Sequence, residues 1–361
     1  MKILVAAAAY PTPEGKRPLY YVHSRNLYYR QAGIELTVLN FAANQEYWFD
    51  GFRVIPQSVF EKEAVDYDML ICHAANIRNH YRFLIRHGDK FAKKLFFFHG
   101  HEVLRVNKYY PRPYSFVKTN EHNPIIHGLY DEVKLFLWRW YYSKHIDDLR
   151  MIFVSKWIFN KFLLETGLKK EALKGHDQII SNSVGAFFEN NRYDPQEMHY
   201  DFLTIRGDLD GSKYCVDIVV ELARKHPHYR FCVIGKGSFF EYVQKPDNMT
   251  VINGEMAHAD MERYMNCSRY ALLPTREDTQ GLMACEMAAY GMPLITSDIE
   301  VCREVFSTCP NVALISNESP DLDAALKSLK PYHSVSRWEA YFAKNTIYKE
   351  IEYIKHYLEE V

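Results

Sequence analysis

No apolar run in this 361-residue chain approaches the roughly 18 residues that a helix needs to cross a bilayer, which excludes a helical membrane span. Seven cysteines are scattered from Cys72 to Cys309, odd in number and with no C-x-x-C pair. That excludes a disulfide or zinc framework and reads as reduced core thiols in a cytosol. There is no internal repeat and no low-complexity tract. Net charge is also lacking, at −1, and no nucleic-acid partner is expected. The opening M-K-I-L-V-A-A-A-A-Y-P has one basic residue and a short apolar run, too little for a secretion signal. It reads as a first buried strand.

The near-zero charge hides an asymmetry. Residues 1–180 hold about 26 Lys+Arg against about 18 Asp+Glu, near +8, which leaves about −9 for 181–361. Two domains of opposite charge suit a chain of this length and its 48% hydrophobic content. Apolar strands alternate with helical patterns throughout, the signature of parallel α/β sheets. In the first half, strands are expected at 2–8, 35–40, 69–73, 94–98 and 151–154. A helix is expected at 19–32, and another after Ser155, a good N-cap. The rhythm restarts with strands at 201–205, 230–234, 249–252 and 270–273 and helices at 216–225 and 261–265. A last helix is expected over 338–358.

The most informative stretch is Leu272 to Asp298, L-L-P-T-R-E-D-T-Q-G-L-M-A-C-E-M-A-A-Y-G-M-P-L-I-T-S-D. A strand ends at Pro274, a polar loop runs to Gly281, and a helix from Leu282 stops before Gly291 and Pro293. A strand, a tight loop and a helix N-terminus offer backbone N–H groups and the helix dipole to an anion. Five residues on from Gly281, roughly 7–8 Å along the helix axis, stands Glu286. That is about the distance from a diphosphate to the ribose of one nucleotide.

Asp278, Gly281, Leu282 and Glu286, with Gly291 and Pro293 in register, resemble the E-x7-E motif of the retaining GT-B glycosyltransferases of family 4. The first carboxylate here is Asp278, with Glu277 beside it as the alternative. The resemblance implies a fold of two Rossmann-like domains facing across a cleft, with a C-terminal helix crossing back to the first. The boundaries it implies are 1–180 plus 338–361 for the acceptor domain and 181–337 for the nucleotide-sugar domain. Ile179–Val184 resembles the segment that opens the second domain in that family.

The resemblance also assigns roles. Arg206 and Lys213, in I-R-G-D-L-D-G-S-K, would hold the leaving diphosphate, where fixed cations stabilise charge developing on the β-phosphate. Glu277, Asp278, Thr279, Gln280, Gly281 and Leu282 would face the donor, Glu286 its ribose and Met256 its base. His99, in H-G-H-E after the strand 94–98, would contact the sugar near its anomeric carbon. His101, Glu102 and Lys16 are acceptor candidates, and Gly15 stands where the family has a glycine-rich loop. Asp208-Leu209-Asp210 is a D-x-D tripeptide, a metal motif in GT-A transferases; in this context it reads as a solvated turn. No metal or other cofactor is expected.

The implied activity is sugar transfer from a nucleotide donor to a carbohydrate or lipid-linked acceptor, in cell-surface polysaccharide or glycan synthesis. A nucleotide-sugar epimerase or a non-catalytic binder of the same fold are the alternatives. The segment 104–150 departs from the family. Its stretch V-K-L-F-L-W-R-W-Y-Y-S-K, 133–144, suits an amphipathic helix on a membrane surface, aromatic stacking on acceptor sugars, or packing on its own domain. The expected location is cytoplasmic, with peripheral attachment to the inner face of the plasma membrane as an option.

Overall fold

The computed structural model describes residues 2–117, 124–334 and 336–360. The chain divides into two compact units. Unit 1 is Met1–Val106, Ile125–Asn182 and Thr346–Val361; unit 2 is Asn107–Pro124 and Ser183–Asn345.

Unit 1 carries an eight-stranded sheet of β1 (Lys2–Ala7), β2 (Glu35–Asn40), β3 (Tyr47–Phe49), β4 (Phe52–Ile55), β5 (Met69–His73), β6 (Lys94–Phe98), β7 (Leu149–Phe153) and β8 (Asp177–Ile179). The order is β3-β4-β2-β1-β5-β6-β7-β8. All neighbours are parallel except β3 against β4. Unit 2 carries six parallel strands: β9 (Tyr200–Ile205), β10 (Phe231–Gly235), β11 (Met249–Asn253), β12 (Ser268–Leu273), β13 (Leu294–Ser297) and β14 (Val312–Ile315). Their order is β11-β10-β9-β12-β13-β14. The central strands are apolar on both faces because helices cover both sides of a parallel sheet. Chain direction across each sheet reverses once, between β1 and β5 and between β9 and β12. The carboxyl ends flanking such a reversal are where open α/β sheets bind ligands.

Most expected elements form within two residues of their expected ends. The last helix does not. It spans Ile347–Glu359, and residues 339–345 make two short 3-10 turns instead. The reason is hydrogen bonding to other elements. The Trp338 N–H donates to the Ala288 carbonyl at 3.1 Å, and the Ala343 N–H to Glu189 at 2.6 Å. The Ala343 donor is taken before a helix can use it, and the Trp338 bond holds the start of the segment against another element.

The segment 104–150 is split between the units. The Tyr114 hydroxyl donates to Asp217 at 2.8 Å, and Phe116 stacks on Tyr242 with centroids 4.6 Å apart. Both rings lie against the core of unit 2. Residues 118–123 of this segment lie outside the described ones. The helix expected over 133–144 runs from Pro124 to Lys144 in unit 1. Trp138, Tyr141 and Tyr142 are buried there, with Trp138 and Tyr142 stacked at 5.2 Å. The 133–144 aromatics therefore divide, and those three serve packing.

Candidate active site

At the reversal point of unit 2, two loops are laced together. Arg206 follows β9 and is buried. Its guanidinium donates to the Pro274 carbonyl at 2.6 Å, tying the end of β9 to the end of β12. Its Nε has no partner. Burial holds the Arg206 pKa below its ordinary value, with Asp278 acting in the opposite direction. The Lys213 carbonyl accepts from the Arg276 N–H at 2.8 Å and from the Thr275 hydroxyl at 3.1 Å. The Lys213 ammonium sits 4.7 Å from the Tyr214 ring centre, and the Arg206 guanidinium 5.3 Å from it. Two cations thus flank one aromatic ring, one buried and one half-buried.

The approach of β10 to this loop requires glycine. A Cβ on Gly235 would stand 2.2 Å from the Arg206 carbonyl oxygen. Asp208 and Asp210 serve turns. Asp208 accepts from the Asp210 N–H at 2.9 Å, and both Asp210 oxygens accept from the Ser238 N–H at 2.9 and 3.0 Å. Among the described residues no cluster of three or more His, Cys, Asp or Glu is placed to hold a metal.

The loop before the Leu282–Tyr290 helix carries its own anion. Asp278 Oδ1 accepts from the N–H groups of Thr279 at 2.8 Å, Gln280 at 3.3 Å and Gly281 at 2.8 Å. The sequence suggested that such N–H groups await a ligand; three of them are already turned onto Asp278. Gly281 sits at φ 73°, the left-handed region that glycine enters without strain. Gln280 is buried and touches Cys285. Glu277 passes its carbonyl to the Thr275 hydroxyl at 2.9 Å. One turn into the helix, Glu286 is 6% exposed, and burial pushes its carboxyl up to about 8. A carboxyl held neutral in this way both donates and accepts hydrogen bonds, as sugar hydroxyls require. Met256 is half-buried in the loop after β11.

In unit 1, His99 follows β6 and is half-buried. Its ring lies 4.6 Å from the Tyr21 ring, and its Nε2 lies 3.2 Å from His73 Nδ1. Burial, with Arg25 nearby, holds its pKa well below the ordinary value. Glu102 is buried, and its oxygens accept from the His99 N–H at 3.0 Å and the Gly100 N–H at 2.6 Å. Glu102, an acceptor candidate from the sequence, fixes the His99 turn. His101 is exposed, and its carbonyl takes the Lys134 ammonium at 3.2 Å. Gly15 and Lys16 are exposed on a turn closed by Gly15 N–H to the Thr12 carbonyl at 3.1 Å.

Sequence reasoning missed three groups. His73 ends β5 at the reversal of the first sheet, a position that itself was a signal. Arg276 grips Asp217 with two nitrogens, at 2.9 and 2.6 Å. Arg25 Nε donates to both Glu350 oxygens at 2.8 and 3.0 Å, fully buried. No local pattern links residues 325 positions apart.

Residues 203–329, which contain both laced loops and the Glu286 helix, match the family model of the glycosyl transferases group 1. Those residues carry a glycosyl transferases group 1 domain. The protein whose crystal structure is titled TarM shares its fold with a TM-score of 0.66 at 11% identity, covering 99% of both chains. A sucrose-phosphate synthase from Thermosynechococcus elongatus gives 0.64 at 12%, covering 99% of this chain and 98% of that one. The lipopolysaccharide outer core galactosyltransferase WaaB gives 0.57 at 13%, over 98% and 100%. No curated protein sequence matches the chain. The two α/β sheets of the chain are those of the GT-B fold.

Proposed function

We propose that this protein is a glycosyltransferase that moves a sugar, with retention at the anomeric carbon, from a nucleotide donor to a carbohydrate or lipid-linked acceptor. The reading extends to cell-surface glycan synthesis, with the protein peripheral on a membrane. The observation that carries it is the lacing of the Arg206–Lys213 loop to the Thr275–Glu286 segment at the reversal point of unit 2. Two cations and a buried, proton-holding carboxyl at one sheet edge suit a nucleoside diphosphate: charge for the phosphates, Glu286 for the ribose.

In this reading Lys213 and Arg206 stabilise the β-phosphate as the glycosyl bond breaks. Asp278, with Thr279, Gln280 and Gly281, meets the donor sugar, and Leu282, Glu277 and Met256 complete the donor surface. Unit 1 receives the acceptor, through His101 and Lys16. Charge stabilisation comes from side chains, so no metal is needed. A retained configuration with no carboxylate nucleophile assigned suits a front-face reaction in which the leaving phosphate takes the acceptor's proton. Among the described residues no helix is long and apolar enough to cross a membrane.

A thermal-shift screen of nucleotide sugars tests the donor half, since a ligand that binds only the folded state raises the melting temperature by mass action. A hit followed by slow acceptor-free hydrolysis supports a transferase. Binding with no turnover in any acceptor mixture points to a non-catalytic binder.

A further inference from the structure

The Pro124–Lys144 helix has a second face that the packing of unit 1 leaves uncovered. Ile126, Leu129, Val133, Phe136 and Trp140 are between 44% and 69% exposed. Their spacing is three, four, three and four residues, so they form one stripe along the helix. From Ile126 to Trp140 it is about 21 Å long. Contiguous apolar surface of this kind marks an interaction site.

The charge around the stripe says what it meets. Phe136, Arg139, Trp140, Ser143 and Lys144 line a shallow hollow of about 370 Å³. The Lys144 ammonium lies 5.1 Å from the Trp140 ring centre. The Arg139 guanidinium reaches to 3.0 Å of where a Cβ on Gly167 would stand. Just past Gly167 come the exposed Lys169, Lys170 and Lys174, with Glu171 among them. Acidic groups on and beside the helix are engaged by cations, with one carboxylate in excess. Glu132 and Glu165 both bind Arg105, and Asp131 binds Lys134 at 2.8 Å. The result is an apolar strip edged by more cations than anions, with a tryptophan beside a lysine at one end.

We propose that this face docks on a lipid bilayer bearing anionic headgroups. The stripe from Ile126 to Trp140 enters the acyl boundary, and Arg139 and Lys144 hold a lipid phosphate at the hollow. A helix that lies in the interface in this way gains from buried apolar area and from attraction to anionic lipid together. Tryptophan favours the headgroup level, where one end of its ring is wet. The proposal deepens the peripheral placement suggested above, but vesicle binding is read without turnover, so the two readings fail separately.

The experiment is co-sedimentation of the full chain with vesicles of phosphatidylglycerol and phosphatidylcholine in equal parts, and with phosphatidylcholine alone. Wild-type protein should bind the mixed vesicles at low salt and lose most of that binding at high salt. Leu129→Glu and Phe136→Glu should each weaken binding to the mixed vesicles roughly tenfold or more. Arg139→Glu with Lys144→Glu should abolish the preference for phosphatidylglycerol. These side chains are exposed, so the variants should melt as the wild type does. A wild type that binds neither vesicle, or a Phe136→Glu protein that binds as the wild type does, overturns the proposal. So does a dimer in sedimentation velocity that Phe136→Glu dissociates, which would give the face to a second copy of the chain.

Discussion

His73 Nδ1 and His99 Nε2 lie 3.2 Å apart, at the ends of neighbouring strands β5 and β6. His73 is fully buried, and its Nε2 has no partner. A buried N–H without an acceptor is rarer than an unfilled acceptor, so the His73 proton belongs on Nδ1, donated to His99. His99 then carries its own proton on Nδ1. Burial and Arg25 hold both rings neutral, well below the ordinary histidine range.

Nitrogen-15 shifts should report these two tautomers, with no titration of either ring between pH 6 and pH 8; a protonation step in that window contradicts the arrangement. In turnover assays His99→Ala should lower kcat by about 100-fold while moving KM little, the pattern of a contact made in the transition state.

Glu286 makes stability depend on pH in a stated direction. Its folded pKa, about 8, stands above the ordinary 4.5, so the folded state holds the proton longer than the unfolded one. The contribution is full below the unfolded value and is lost as pH rises, by about 1.4 kcal/mol per unit between the two. Glu286→Gln should therefore match the wild-type melting temperature near pH 5 and exceed it at pH 8.5. Glu350, raised by burial against the pull of Arg25, has the same sign in both proteins and cancels in the comparison. In calorimetry Glu286→Ala should bind a nucleotide donor roughly 1–3 kcal/mol more weakly. Unchanged affinity would remove Glu286 from the donor site.

Lys213→Ala should lower kcat/KM by 100-fold or more, the order expected for losing a preorganised charge at the leaving group, and turnover should survive EDTA. Asp208→Asn should leave activity within a few-fold, because its carboxylate serves a turn. A strict requirement for manganese or magnesium would return Asp208 and Asp210 to consideration as ligands.

Gly235→Ala places a methyl 2.2 Å from the Arg206 carbonyl, inside the packed end of two central strands. The backbone must shift, at a cost of about 1–3 kcal/mol. Because Arg206 moves with it, donor affinity should fall as well. Equal melting temperatures for Gly235→Ala and the wild type would mean that the strands part without cost.

Breaking the Arg25–Glu350 pair from one side leaves a buried charge alone, at a cost of about 3–5 kcal/mol. Arg25→Met with Glu350→Met should be more stable in urea than either single change. A double variant no better than the worse single one would show that the two residues act through other partners.

The sequence by itself showed the two parallel α/β units and the main motif, though not the short strands β3, β4, β8 and β14. Alternating apolar strands and helices define parallel α/β units because the period of each element is local. The Leu282–Tyr290 helix, its glycines and Glu286 were legible because start, stop and register lie within thirty residues. Tertiary structure decided which polar groups are spent. Asp278 turns onto its own loop, and Glu102 onto the His99 turn. Arg25 finds Glu350 from the far end of the chain, and Ala343 gives its N–H to Glu189, so the last helix starts only at Ile347. Each outcome depends on which donor and acceptor meet in space. The same is true of the long helix of unit 1. Its composition gave an amphipathic pattern, but only packing against the sheet buried Trp138 and left Phe136 and Trp140 outside.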